Sequence, residues 1–172
     1  MKQLVVLLAG ALIPALATHA QTARPLCRIG VFDSRAVALA WGRSDEGMRV
    51  VKQMAEYDKA KAANNEKRMK ELDQEGQWRQ VRMHQLVFST GPVADILAKV
   101  KDKLAEIARQ ERVTAIVSKW ELPYSEPGTE LVDVTLPLVK LFNPSEQVLK
   151  YVEEMKNQTP VPFDKLPLDP KL

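Results

Sequence analysis

The sequence predicts an α+β fold: a small β-sheet body interrupted by a long antiparallel α-helical hairpin, followed by a short C-terminal helix and a disordered tail. Three observations predict it. A compact apolar run, Arg28-Ile29-Gly30-Val31-Phe32-Asp33, reads as a strand. About seventy residues of helical periodicity then follow with few glycines or prolines. After Arg112 the period changes, and Thr114-Ala115-Ile116-Val117-Ser118 is again a short β run.

Ahead of the first strand, residues 1–20 read as a cleavable export signal. Lys2 supplies the positive start, Leu4 to Ala17 the apolar run, and Thr18-His19-Ala20 the small residues of a cleavage site before Gln21. The run falls short of the ~20 apolar residues that span a bilayer. The expected location is the periplasm, with no membrane span after cleavage. The chain beyond the signal carries 24 basic and 22 acidic residues. That balance does not suggest nucleic-acid binding. Charge is uneven, with a mildly basic stretch from Arg43 to Arg112 and an acidic one from Val113 to Leu172.

Ser34 is expected to cap a short helix from Arg35 to Trp41, which Gly42 ends. Ser44 opens the first arm of the hairpin, with Asp45 and Glu46 suited to the positive end of its dipole. Met48, Val51, Met54 and Tyr57 form an apolar face at helical spacing. Between Asp58 and Glu71 that face almost vanishes, although nearly every residue is a good helix former. Such a helix projects into solvent or packs in a narrow seam. Asp73-Gln74-Glu75-Gly76 is expected to reverse the chain, because glycine suits the left-handed cap of a helix end. The arm thus covers about 45–112 in two stretches of ~30–35 residues, each reaching ~45–50 Å. Pro92 opens a renewed helix with the clearest stripe of the chain, Val93, Ile96, Leu97, Val100, Leu104 and Ile107.

Beyond the second strand, Trp120, Leu122 and Tyr124 alternate with Lys119, Glu121 and Pro123, as a further strand would. Ser125-Glu126-Pro127-Gly128 is turn chemistry. Leu131 to Val134 fits a strand or a loop. Thr135 is suited to cap a helix to about Phe142, and Ser145 another to about Lys156. From Asn157 on, Pro160, Pro162, Pro167 and Pro170 mark the tail.

Catalytic constellations are missing from this pattern. Cys27 is the single cysteine, which removes internal disulfides and leaves an inert thiol as the expectation. His84 is the one histidine outside the signal, so His clusters, Cys/His zinc sites and most triads are excluded. No enzymatic role, no metal and no cofactor are expected.

Four segments together resemble the Skp/OmpH family of periplasmic chaperones. They are Ile29 to Ser34 after the signal; Pro92 with Ile96, Val100, Leu104 and Ile107; Ala115 to Lys119 with Leu122-Pro123-Tyr124 and Glu126-Pro127; and Asp133-Val134-Thr135 leading to Leu138-Val139 and Leu141-Phe142-Asn143. The resemblance covers residues 28–143. It assigns 21–143 to one Skp/OmpH-like domain and leaves 144–172 as an extension outside the shared pattern. It implies a homotrimer whose helical hairpins enclose a cavity for unfolded outer-membrane proteins, without ATP. The hairpin is shorter than the family's typical one.

On this reading the candidate partner contacts on the arm are Tyr57, Lys67, Arg68, Met69, Leu72 and Trp78. Trp78 is expected to fill the hairpin seam, with a partner anchor as the alternative. The candidate subunit-interface residues are Val31, Ile116, Val117 and Tyr124. The rival function is a non-catalytic envelope adaptor that binds a folded partner through the arm and the C-terminal tail. Peripheral membrane contact is a third reading, weakened by the mixture of charge signs along the arm.

Overall fold

The computed structural model describes residues 27–47 and 49–166. The expected signal at 1–20, the polar lead to residue 26, Met48 and the last six residues lie outside the described part. Strand β1 (Arg28–Phe32) is the centre of a three-stranded sheet, with β2 (Ala115–Ser118) on one side and β3 (Glu130–Asp133) on the other. Both pairings are parallel, with Val31 opposite Val117 in one and opposite Asp133 in the other. The helices α1 to α5 therefore form the crossover from β1 to β2. Gly30 lies where a Cβ would press on the Val113 and Val134 side chains at 3.2 Å, so the glycine lets these neighbours pack closely on β1.

Parallel pairing also dictates the path of the chain after β2. The chain must return to the starting end of the sheet, and residues 119–129 do this as a loop. The expected strand through Trp120, Leu122 and Tyr124 is not formed. Pro123 and Pro127 have no N–H to give a ladder, and Gly128 takes a positive φ of 93°.

Helix α1 (Ser34–Gly42) is the hub of the molecule. It packs on the later helices with Ser34, Arg35, Ala36, Val37, Ala38 and Ala40 all buried. Small side chains on every side let neighbours approach from several directions. Its cap is Asp33 rather than the expected Ser34: the Asp33 carboxylate accepts from the Arg35 N–H at 3.0 Å. Ser34 Oγ is buried without a hydrogen-bond partner.

The two helices of the expected arm are α2 (Arg49–Ala62) and α3 (Glu66–Phe88). The chain turns between them at residues 63–65, not at the expected 73–76. Asn64 takes the left-handed φ of 49°, and the Asn65 side chain caps α3 by accepting from Arg68 N–H at 3.0 Å. Asn tolerates that conformation because its short amide can bond locally. Gly76 instead sits inside α3, at a helix-propensity cost of about 1 kcal/mol relative to Ala. The contacts step away from the turn: Asn65 N–H to Ala60 O at 2.8 Å, Arg68 to Glu56 at 2.9 Å, then Gln53 Nε2 to Leu72 O at 2.6 Å. At 1.5 Å per residue, α2 and α3 reach about 21 and 35 Å, shorter than the sequence suggested.

Beyond Phe88 the helix breaks twice. Ser89 to Val93 is irregular, α4 (Ala94–Ala98) is short, and α5 (Lys101–Gln110) comes next. The apolar stripe nevertheless goes inside, with Val93, Ile96 and Ile107 buried and Leu97, Val100 and Leu104 packed against the core. Helix α6 (Thr135–Lys140) buries Leu138 and Val139, and α7 (Glu146–Met155) buries Val148, Val152 and Met155. Ser145 caps α7 as expected, through Val148 N–H.

The described part of the tail is not disordered. Val161 N–H donates to Phe88 O at 2.8 Å, Phe163–Lys165 forms a 3₁₀ turn, and Leu166 is buried. Its prolines hold an extended path along the body rather than freeing the chain. Among the described residues no helix is long and apolar enough to cross a membrane.

Candidate functional site

A groove of ≈ 1050 Å³ lies where the base of the arm meets the body. The end of α1 contributes Trp41 and Gly42, the arm contributes Gln53, Gly76, Trp78, Met83 and Leu86, and the tail contributes Phe163. Two ion pairs stand among its lining groups, Lys99 with Glu46 at 2.7 Å and Arg82 with Asp95. Burial alone would raise the Asp95 carboxyl; the Arg82 hydrogen bond and charge outweigh it and lower the pKa. Arg79 instead donates to Gln53 Oε1 at 2.8 Å. Trp78 is 76% exposed and Phe163 52% exposed, unusual for aromatics of this size. The expectation that Trp78 fills the hairpin seam is therefore wrong. The Trp41 indole N–H is buried without a partner.

A smaller hollow of ≈ 360 Å³ continues along the arm, and it shares Gln53 and Gly76 with the groove. Tyr57 and Met54 line it, and Met54 is 64% exposed.

The arm candidates separate into three kinds. Tyr57, Met69 and Trp78 present surface, as does the exposed Lys67. Leu72 is only 3% exposed, set against the α2–α3 seam, and offers a partner little surface. Arg68 is committed to a carboxylate cluster of Glu56, Glu71 and Glu75. Its neighbours Lys59, Lys61, Lys67 and Lys70 are exposed around the turn.

The interface candidates also divide. Register places Val31 and Val117 on one face of the sheet with Ile29 and Leu131. Ile116 lies on the opposite face and packs against the core, so it is not free for a subunit interface. Tyr124 is not on a strand; it stands 70% exposed in the loop between β2 and β3.

A second cluster was not read from the sequence. Asp33, the residue after β1, sits beside Lys119, the residue after β2. Its carboxylate pairs with Arg35 at 2.7 Å and Lys119 at 2.9 Å, and accepts from the Trp120 indole N–H at 3.2 Å. Arg35 also reaches Met155 O at 3.1 Å, and Arg35 and Lys119 both lie over the Trp120 ring. Burial pushes the Asp33 carboxyl up, but these hydrogen bonds and the Arg35 charge prevail and bring it from 3.8 to about 2. The carboxylate is held by three side chains and offers its charge to the fold. Among the described residues no group of three or more His, Cys, Asp or Glu side chains is placed to hold a metal ion.

The chain matches no protein-family profile, no curated protein and no solved structure.

Proposed function

We propose that this protein is an exported, ATP-independent holdase that shelters unfolded envelope proteins, and that it works as a homotrimer in the periplasm. The observation that carries the reading is the arm. Helix α2 has α3 as its principal neighbour, and the pair leaves Met54 and Trp78 exposed along its length and a set of lysines exposed around its turn. Read as an antiparallel hairpin, this is a surface that offers apolar contact and diffuse positive charge, and neither demands a defined partner sequence. The lysines would attract acidic stretches of a client through forces that salt screens. The resemblance of segments within residues 28–143 to the Skp/OmpH family is a second ground for the same reading.

Support for assembly comes from the sheet. Ile29, Val31, Val117 and Leu131 share a face on which Leu131 is 47% exposed. A small body holding an arm gains from burying such a face against a second copy. The export signal, the location and the absence of a catalytic role belong to this proposal as well.

The test is aggregation of a urea-diluted β-barrel membrane protein, followed by light scattering without nucleotide. Suppression near one trimer per client is the expected result, weakening as salt is raised. Scattering unchanged by the protein at every salt concentration would contradict it. An adaptor would instead bring down one folded partner in fixed ratio and ignore the unfolded barrel.

A further inference from the structure

We infer that the groove at the base of the arm is a docking site for an extended polypeptide segment bearing aromatic side chains, and that Gly76 keeps it open. The inference rests on the holdase reading and gives that activity a place on the molecule.

Gly76 is a glycine that no described neighbour requires. It lies within α3, has no positive φ, and among the described residues a Cβ built on it would meet only the Gln53 side-chain amide, at an ordinary 3.6 Å. Other glycines along the groove are explained by crowding: a Cβ at Gly47 would overlap Trp41 O, and one at Gly91 would press on Leu86 at 2.9 Å. A glycine that neither packing nor backbone geometry requires exposes helix backbone where another chain can approach closely. Gly76 lines both the groove and the hollow that continues from it.

The occupant is indicated by what the groove already holds at one end. The protein's own segment around Pro162 runs extended, with φ −54° and ψ 140°. It is fixed by one main-chain hydrogen bond, Val161 N–H to Phe88 O, and it delivers the Phe163 ring to the groove lining. The surface therefore already accepts an aromatic ring from a polypeptide segment: Phe163 opens a 3₁₀ turn directly after the extended Pro162 and lines the groove. Trp78, on the same groove and largely exposed, offers an incoming ring a stacking partner. Gln53 stands between the groove and the hollow, its amide fixed by Leu72 O and by Arg79, so the wall there is held in place.

The probe is a fluorescein-labelled, end-blocked peptide of alternating Phe and Ser, with binding to the full chain read by anisotropy. Saturable binding is expected. Gly76→Phe, which fills the gap, and Trp78→Ala, which removes an exposed ring, should each weaken it about tenfold or more. Gly76→Ala should bind within about twofold of the parent. Trp78→Ala alters no buried contact, so it remains decisive if Gly76→Phe fails to fold by circular dichroism. Failure of the parent to bind the peptide would overturn the inference, as would parent-like affinity in Trp78→Ala. The light-scattering assay separates the two readings. Full suppression by a Trp78→Ala variant that folds normally leaves the holdase standing and removes the groove from it.

Discussion

Asp33→Ala is expected to destabilise the fold by about 3–5 kcal/mol, the range for removing one partner of a buried ion pair. The size reflects what the carboxylate holds. Arg35 is 3% exposed at its side chain and Asp33 4%, so the pair is cut off from water. Without Asp33 the guanidinium keeps only Met155 O and the face of Trp120. The α1 N-cap is lost in the same step, since Asp33 also accepts from Arg35 N–H. The double variant Asp33→Leu/Arg35→Met should cost less than Asp33→Ala, because no buried charge is stranded. Urea denaturation of the three proteins measures this directly, and equal midpoints for Asp33→Ala and the parent would contradict it.

Acid should reach the same site more gently. The carboxyl has a pKa of 3.8 unfolded and about 2 folded. Its contribution is therefore complete above about pH 4 and is lost as pH falls through about 2. The loss amounts to about 2 kcal/mol. It is smaller than the truncation because a protonated carboxyl still fills the space and can still hydrogen-bond.

Removal of residues 144–172 should abolish cooperative folding. Val148, Val152 and Met155 leave the core together, and Met155 takes with it the carbonyl that accepts from Arg35. Burying an apolar side chain is worth about 1.5–3 kcal/mol, so three of them approach the whole stability of an ordinary domain. Truncation after Leu166 keeps every described contact of the extension, and its melting temperature is the reference for the two shorter chains. Truncation after Lys156 falls between, losing Val161 N–H to Phe88 O and the buried Leu166. Thermal denaturation followed at 222 nm ranks the three. A cooperative melt for the chain ending at Asn143, close to that of the parent, would show that α7 is an accessory.

The pattern of successes and failures in reading this sequence has a physical cause. Local signals worked where one residue decides locally: Ser145 caps α7, and the Val93-to-Ile107 stripe turns inward at its helical period. The mixed helix-and-strand class also emerged from the change of period after Arg112. Misreadings came where a signal was permissive. Glycine allows a reversal but does not impose one, and the turn fell instead on Asn64, whose side chain tolerates the same backbone. Prolines in the tail removed helix and strand yet did not prevent packing, which depends on Phe88 and other residues far away in sequence. The groove and the Asp33 cluster were not legible for the same reason. Each joins segments separated by tens of residues: Gly76 meets Phe163 along one groove, and Asp33 meets Lys119 only once β1 and β2 pair. Alternation from Trp120 to Tyr124 was a genuine pattern, overruled because a parallel sheet needs those residues as a return path.

The central claim is that several copies of this chain hold one unfolded client between their arms. Its most direct test is the mass of the protein in solution, by light scattering on a sizing column, with and without an unfolded β-barrel protein. Three copies alone, and three copies plus one client after mixing, is the predicted result. A single copy whose mass does not change when the client is added would contradict both the assembly and the holding.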